Sequence, residues 1–195
     1  MRKVTKKTVK INKDDVRNLD ISELENQSIN KNDWLSAGQS EYRLYAYLST
    51  FFNQSIILDV GTRTGGSALA LSHNPTNKVI SYDLVEQGAT QAINKENIEF
   101  KIQDFREDDL NWNHVSIIMI DVDPHDGIKE VEMMEFLEEQ GWSGLILLDD
   151  IGPAWPDVEY MWESITEPKL DVSEVGHMSG TGLVNFGSKH VVDWA

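Results

Sequence analysis

Apolar and polar positions divide the chain into a poorly patterned opening and a long alternation of strands and helices. Residues 1 to about 30 are rich in Lys, Asn and Asp, lack apolar periodicity, and read as tail and loop. From Asp33, the positions Trp34, Leu35, Tyr42, Leu44, Tyr45, Tyr47, Leu48 and Phe51 fall mainly at helical spacing and predict a front helix. Short apolar runs then predict seven strands, at 55–60, 78–84, 98–105, 115–123, 144–150, 169–176 and 181–187. Between them, 67–72 reads as a helix start and 90–97 as a weak helix. Ile128, Val131, Met134, Phe136 and Leu137 mark an amphipathic helix that Gly141 can end. A further helix is expected over 157–165, after two prolines, and the last two strands form a hairpin joined by His177-Met178-Ser179-Gly180.

Near-continuous apolar strands alternating with helices indicate a parallel sheet covered on both faces. The expected fold is therefore α/β: a mostly parallel seven-stranded sheet, helices on both faces, and a C-terminal antiparallel hairpin. The expected division is a basic leader over 1–30 and one domain over 31–195. In such sheets ligands bind beyond the carboxyl ends of the strands, and the polar motifs below all sit there.

Charge narrows the partners. The 195-residue chain has a formal charge of −16, yet residues 1–13 hold six Lys or Arg and no acid. The remainder, with 11 basic and 33 acidic residues, carries −22 and would repel phosphate backbones, so nucleic acid is not an expected partner. The basic start reads as a solvated tail, with a surface-seeking arm and a first strand at Val9–Ile11 as the other readings. The absence of cysteine removes disulfides, thiolate metal sites and Cys nucleophiles. No apolar run approaches bilayer-spanning length and no signal-peptide core opens the chain, so a cytoplasmic, membrane-free protein is expected. The sequence leaves open whether it forms a homo-oligomer.

Three consecutive strand ends carry candidate binding chemistry. The first is Leu58-Asp-Val-Gly-Thr-Arg-Thr-Gly-Gly-Ser67, a glycine turn between strand and helix where a ligand can approach the backbone. Arg63 stands where a dinucleotide fingerprint needs its middle glycine, which argues against a nicotinamide or flavin dinucleotide. Asp83 ends the next strand, where a carboxylate can accept both ribose hydroxyls. Gln103-Asp104 ends the third, as a polar pair suited to an adenine edge.

This set resembles the binding motifs of class I S-adenosylmethionine-dependent methyltransferases over roughly residues 33–187. The resemblance implies a Rossmann-like fold and S-adenosylmethionine as cofactor. It also implies a binding set of Asp59, Gly61, Thr62, Arg63, Gly65, Ser67, Asp83, Gln103, Asp104 and Asp121. The glycine turn would hold the methionine moiety, Asp83 the ribose, and Gln103 with Asp104 the adenine surroundings.

Acids gather at two further strand ends, Asp121-Val-Asp-Pro-His-Asp-Gly127 and Asp149-Asp150. Neighbouring carboxylates on a strand point to opposite faces, and two anions at an apolar strand end need solvent, a helix N-terminus or a cation. Oxygen ligands without cysteine favour Mg²⁺ or Ca²⁺ over zinc. The pair of motifs resembles the metal-dependent branch of small-molecule O-methyltransferases, the catechol-type enzymes and their sugar- and macrolide-modifying relatives. That resemblance implies Asp121, Asp149 and Asp150 as ligands of Mg²⁺ or another hard divalent cation, and a small hydroxylated acceptor. Pro124 occupies the place of the catechol-type lysine base, so catalysis falls to His125 with Asp121, with Lys129 as the other candidate base. A helix-capping role for Asp150 and a surface role for His125 are the plain structural readings. Trp155, flanked by prolines, is the candidate substrate wall; His177 and the front-helix residues Gln39, Glu41 and Arg43 are further neighbours of the pocket. Two other functions fit the same residues: a metal-independent methyltransferase with a nitrogen or carboxyl acceptor, and a non-catalytic S-adenosylmethionine-binding protein.

Overall fold

A computed structural model describes residues 6–28, 34, 38–86 and 88–195. The sheet strands are β2 (Ile56–Val60), β3 (Lys78–Asp83), β4 (Ile98–Ile102), β5 (Val115–Ile120), β6 (Gly144–Asp149), β7 (Lys169–Asp171) and β8 (Thr181–Phe186). They form a 7-stranded sheet in the order β4-β3-β2-β5-β6-β8-β7. Every neighbouring pair from β4 to β6 is parallel, and β8 runs antiparallel to both β6 and β7. The expected Rossmann-like α/β architecture with its terminal hairpin is present.

Alternation within the apolar runs builds two cores. Ile57, Val79, Ile117 and Leu145 face one side; Leu58, Ile80, Ile118 and Ile146 face the other. The first side is covered by α3 (Gly38–Ser49), through Leu44, Tyr45 and Leu48, and by the wholly buried α4 (Gly66–Leu71). The second is covered by α5 (Ile128–Glu139) and α6 (Pro156–Ser164), through Met133, Leu137, Val158 and Trp162. Burial of both faces is why these strands read as continuous apolar runs.

β2 is followed in the chain by β3 on one side, while β5 pairs with its other edge. The order reverses there, which places the ligand crevice beyond the ends of β2 and β5.

Some expected elements differ. The basic leader contains β1 (Lys7–Ile11), α1 (Lys13–Arg17) and α2 (Ser22–Gln27), and it buries Val9, Ile11, Val16, Ile21 and Leu24. β1 pairs in parallel with β9 (His190–Trp194), a strand absent from the expectation, from Lys7 opposite His190 to Ile11 opposite Trp194. Lysines alternating with Val9 and Ile11 gave this segment the look of a tail; its partner lies at the other end of the chain, beyond any local cue. The helix expected at 90–97 is a 3₁₀ turn over Gly88–Ala92, and the strand expected at 169–176 stops at Asp171, before a 3₁₀ turn over Ser173–Val175. The expected helix start at Asp33 and Leu35, and the side chain of Gln39, lie outside the described residues.

Candidate functional site

The turn after β2 is built on close backbone approach. Gly61 has φ +103°, and a Cβ there would stand 1.7 Å from the carbonyl oxygen of Asp121; only glycine permits this. The Gly61 and Thr62 N–H groups both donate to the Tyr82 carbonyl, at 3.0 and 3.1 Å, which ties the turn to the end of β3. Underneath, Ser81 Oγ donates to Asp59 Oδ2 at 2.5 Å, and the Ser81 and Thr62 hydroxyls are hydrogen-bonded. Asp59 is fully buried, and burial pushes its carboxyl up to about 6.

Asp83 supports the same turn from β3. Its Oδ2 accepts the Arg63 N–H at 3.1 Å and its Oδ1 accepts the Val85 N–H at 3.0 Å, fixing the carboxylate at the strand end. At the end of β4, Arg106 donates to the Asp104 carboxylate from its backbone and guanidinium, with Nη2 to Oδ2 at 2.6 Å. The guanidinium holds that carboxyl below the usual range.

A cleft of about 760 Å³ opens over these ends, lined by Gly61, Arg63, Asp83, Gln103, Asp104, Asp121 and His125, among others. Its size falls within the ~300–1,000 Å³ of small-molecule sites. Asp59, Thr62, Gly65 and Ser67 are buried behind the residues that line it.

The acids at the ends of β5 and β6 meet two histidines. Asp150 has φ +61°, a left-handed conformation that breaks the strand's alternation. Its Oδ2 lies 3.3 Å from His125 Nδ1 and its Oδ1 lies 3.8 Å from His177 Nδ1. Asp149 Oδ2 stands 3.5 Å from the same His177 nitrogen. Two sets of candidate ligand atoms result, each within 4.8 Å of one another: Asp121, His125 and Asp150, and separately Glu41, Asp149 and His177. The expected ligands Asp121, Asp149 and Asp150 contribute to both groups, and Asp149 and Asp150 both lie close enough to Asp121 to raise its carboxyl.

The electrostatics follow from crowding. Burial, with Asp149 and Asp150 nearby, pushes Asp121 up to about 8. Burial and then Asp149 push Glu41 of α3 up to about 8. His177 is pushed up to about 11, by hydrogen bonds to Asp149 and then Asp150. Burial works to raise Asp150, but hydrogen bonds from His177 and Ser179 outweigh it and hold the carboxyl below its ordinary range. The acidic pair therefore shares one neighbour, the His177 imidazole, whose Nδ1 lies near both carboxylates. The loop bearing it is locked to β6 by backbone contact: the Gly152 N–H donates to the Ser179 carbonyl at 2.8 Å, and a Cβ on Gly152 would stand 2.4 Å from that oxygen. His177 and Glu41 were legible only as neighbours of the pocket; the glycines at 152, 176 and 180 were the one local hint of close loop packing.

His125 sits between Asp150 and Asp123, with Nε2 3.3 Å from Asp123 Oδ1, and its ring meets that of Trp155 at 4.3 Å. Lys129 also lines the cleft, with its ammonium donating to the Asp123 carbonyl.

No family model matches the sequence, and no curated protein matches it. The fold is nevertheless that of known methyltransferases. A methyltransferase from Geobacter sulfurreducens matches with TM-score 0.58 at 12% identity, over 85% of this chain and 88% of that one. A SAM-dependent methyltransferase from Aquifex aeolicus matches with TM-score 0.53 at 19% identity, over 85% and 97%. A Staphylococcus aureus protein assigned as a caffeoyl-CoA O-methyltransferase matches with TM-score 0.55 at 14% identity, over 75% and 82%. What this chain shares with these proteins is the α/β fold. Among the described residues no helix is long and apolar enough to cross a membrane.

Proposed function

We propose that this protein transfers a methyl group from S-adenosylmethionine to a hydroxyl of a small molecule. The observation that carries the reading is the cleft at the switch point, with Gly61, Asp83 and Gln103 on one part of its lining and Asp121 and His125 on another. In this reading the glycine turn and Arg63 receive the methionine end, Asp83 the ribose, and Gln103 with Asp104 the adenine surroundings. The cofactor supplies an electrophilic methyl on a sulfonium. His125, held through Nδ1 by Asp150, accepts the acceptor's proton, while the Trp155 ring fixes the imidazole plane.

A divalent cation belongs to the same proposal. Asp121 and Asp150 would hold it beside His125, and it would supply a lower pKa for an acceptor hydroxyl. The solved structure assigned as a caffeoyl-CoA O-methyltransferase supports an oxygen acceptor, and the acidic body makes a nucleic-acid acceptor unfavourable. A metal-independent reaction is the second reading, favoured by His177, whose Nδ1 already stands 3.5 Å from Asp149 Oδ2 and 3.8 Å from Asp150 Oδ1.

The test is S-adenosylhomocysteine formation across a panel of small phenols, sugars and polyketide alcohols, with and without EDTA. Turnover abolished by EDTA and restored by Mg²⁺ supports the full reading; turnover indifferent to EDTA selects the metal-independent one. No turnover despite measurable S-adenosylmethionine binding would leave a binding protein.

A further inference from the structure

We infer that Glu41, Asp149 and His177 form a second cation centre, one that takes a first-row divalent transition ion and fastens α3 to the rim of the sheet. The three residues come from separate segments: the first turn of α3, the end of β6 and the loop before β8. Their candidate ligand atoms lie within 4.8 Å of one another.

Burial distinguishes this group from an ordinary acidic surface. Glu41 is only 6% exposed, and the Asp149 side chain only 6%. Asp149 Oδ2 faces His177, while Asp149 Oδ1 is sealed from solvent without a hydrogen-bond partner among the described residues. A buried, unpaired carboxylate oxygen is costly unless something positive reaches it. A single nitrogen, His177 Nδ1, is shared among Asp149 Oδ2, Asp150 Oδ1 and the Ser179 hydroxyl, which leaves Asp149 Oδ1 unserved.

The donor set selects the ion. Two carboxylates and an imidazole suit Zn²⁺ or Mn²⁺ better than Mg²⁺, which prefers oxygen ligands and its own waters. Asp150 stands between this centre and the Asp121 group, one oxygen toward each histidine, as a carboxylate between two ions would. The inference rests on packing and donor chemistry, independently of the methyl-transfer reading.

The experiment uses the full chain, stripped with EDTA and titrated with Zn²⁺ by calorimetry and thermal shift, with Mg²⁺ in parallel. Zn²⁺ should bind at least tenfold more tightly than Mg²⁺ and raise Tm. Glu41→Gln and His177→Gln should each weaken Zn²⁺ at least tenfold, while His125→Gln leaves this affinity unchanged. Anomalous diffraction from Zn²⁺-soaked crystals of the unaltered protein should place a peak between Glu41 and His177, a readout that needs no variant. Zn²⁺ held at the Asp121–His125 group alone, or affinity untouched by Glu41→Gln and His177→Gln, would overturn the second centre. Absence of any Zn²⁺ uptake would do so as well. Neither failure bears on S-adenosylhomocysteine formation, which tests the function separately.

Discussion

His125 Nδ1 and Asp150 Oδ2 face each other at 3.3 Å, and both residues hold left-handed backbone, with φ +59° and +61°. Non-glycine residues in that region cost about 1–3 kcal/mol each and persist where the surrounding structure over-determines them, often at working sites. Two such residues face one another across two strand ends, beside the cleft that His125 lines.

Replacing His125 by Ala should therefore lower kcat by ~10²-fold or more, with S-adenosylmethionine affinity nearly unchanged. Asp150→Asn keeps a residue tolerant of the left-handed conformation but removes the orienting charge, so a smaller kcat loss is expected. Steady-state kinetics over a pH series checks both; an unaltered pH–rate profile in His125→Ala would dismiss it as base.

Asp83→Ala removes a carboxylate that meets both the turn and the cleft. Hydrogen bonds to charged groups contribute ~1.5–3 kcal/mol, so S-adenosylmethionine should bind ~10–150-fold more weakly by calorimetry. Equal affinity would remove the ribose assignment.

Gly61→Ala tests the backbone contact between β2 and β5. Its Cβ would overlap the Asp121 carbonyl at 1.7 Å, and φ +103° is unsuited to alanine. The expected outcome is a loss of more than ~2 kcal/mol in denaturant unfolding, together with loss of cofactor binding. Retained stability would mean that the turn can move.

His190 gives a pH dependence with a definite sign. Its ring is 5% exposed with both nitrogens unpaired among the described residues, and burial pushes it down from 6.5 to about 4. A depressed folded-state pKa means that the unfolded chain takes the proton first. Stability contributed by the neutral ring is thus full above pH 6.5 and lost as pH falls toward about 4. His190→Phe should flatten that part of the stability curve by up to ~1.4 kcal/mol per pH unit relative to the unaltered protein. Superimposable slopes between pH 4 and 6.5 would refute the assignment.

The β1–β9 pairing makes the basic opening structural. Val9 and Ile11 are each 0% exposed, so Val9→Ala and Ile11→Ala should each cost ~1–3 kcal/mol of unfolding free energy. A tail would show no change.

Much of the scaffold was legible because its causes are local. Ile56–Val60, Val115–Ile120 and Gly144–Asp149 are apolar runs of strand length, and the glycines at 61, 65 and 66 announce a turn wherever the strand lies. The order of strand-end motifs followed from the same runs, and with it the position of the cleft. The weak helix at 90–97 failed because its two apolar residues, Ala92 and Ile93, are adjacent and make no stripe at helical spacing.

Which acid meets which histidine was decided only in three dimensions. Adjacent aspartates fix two directions at a strand end, but the left-handed turn at Asp150 and the loop locked through Gly152 and Ser179 select where those directions lead. Glu41 joins Asp149 and His177 across more than a hundred residues of chain, and β1 finds β9 across nearly its whole length. Sequence periodicity records which face of an element is buried; it carries no address for the partner that covers it, and that address comes from the packing of the whole sheet.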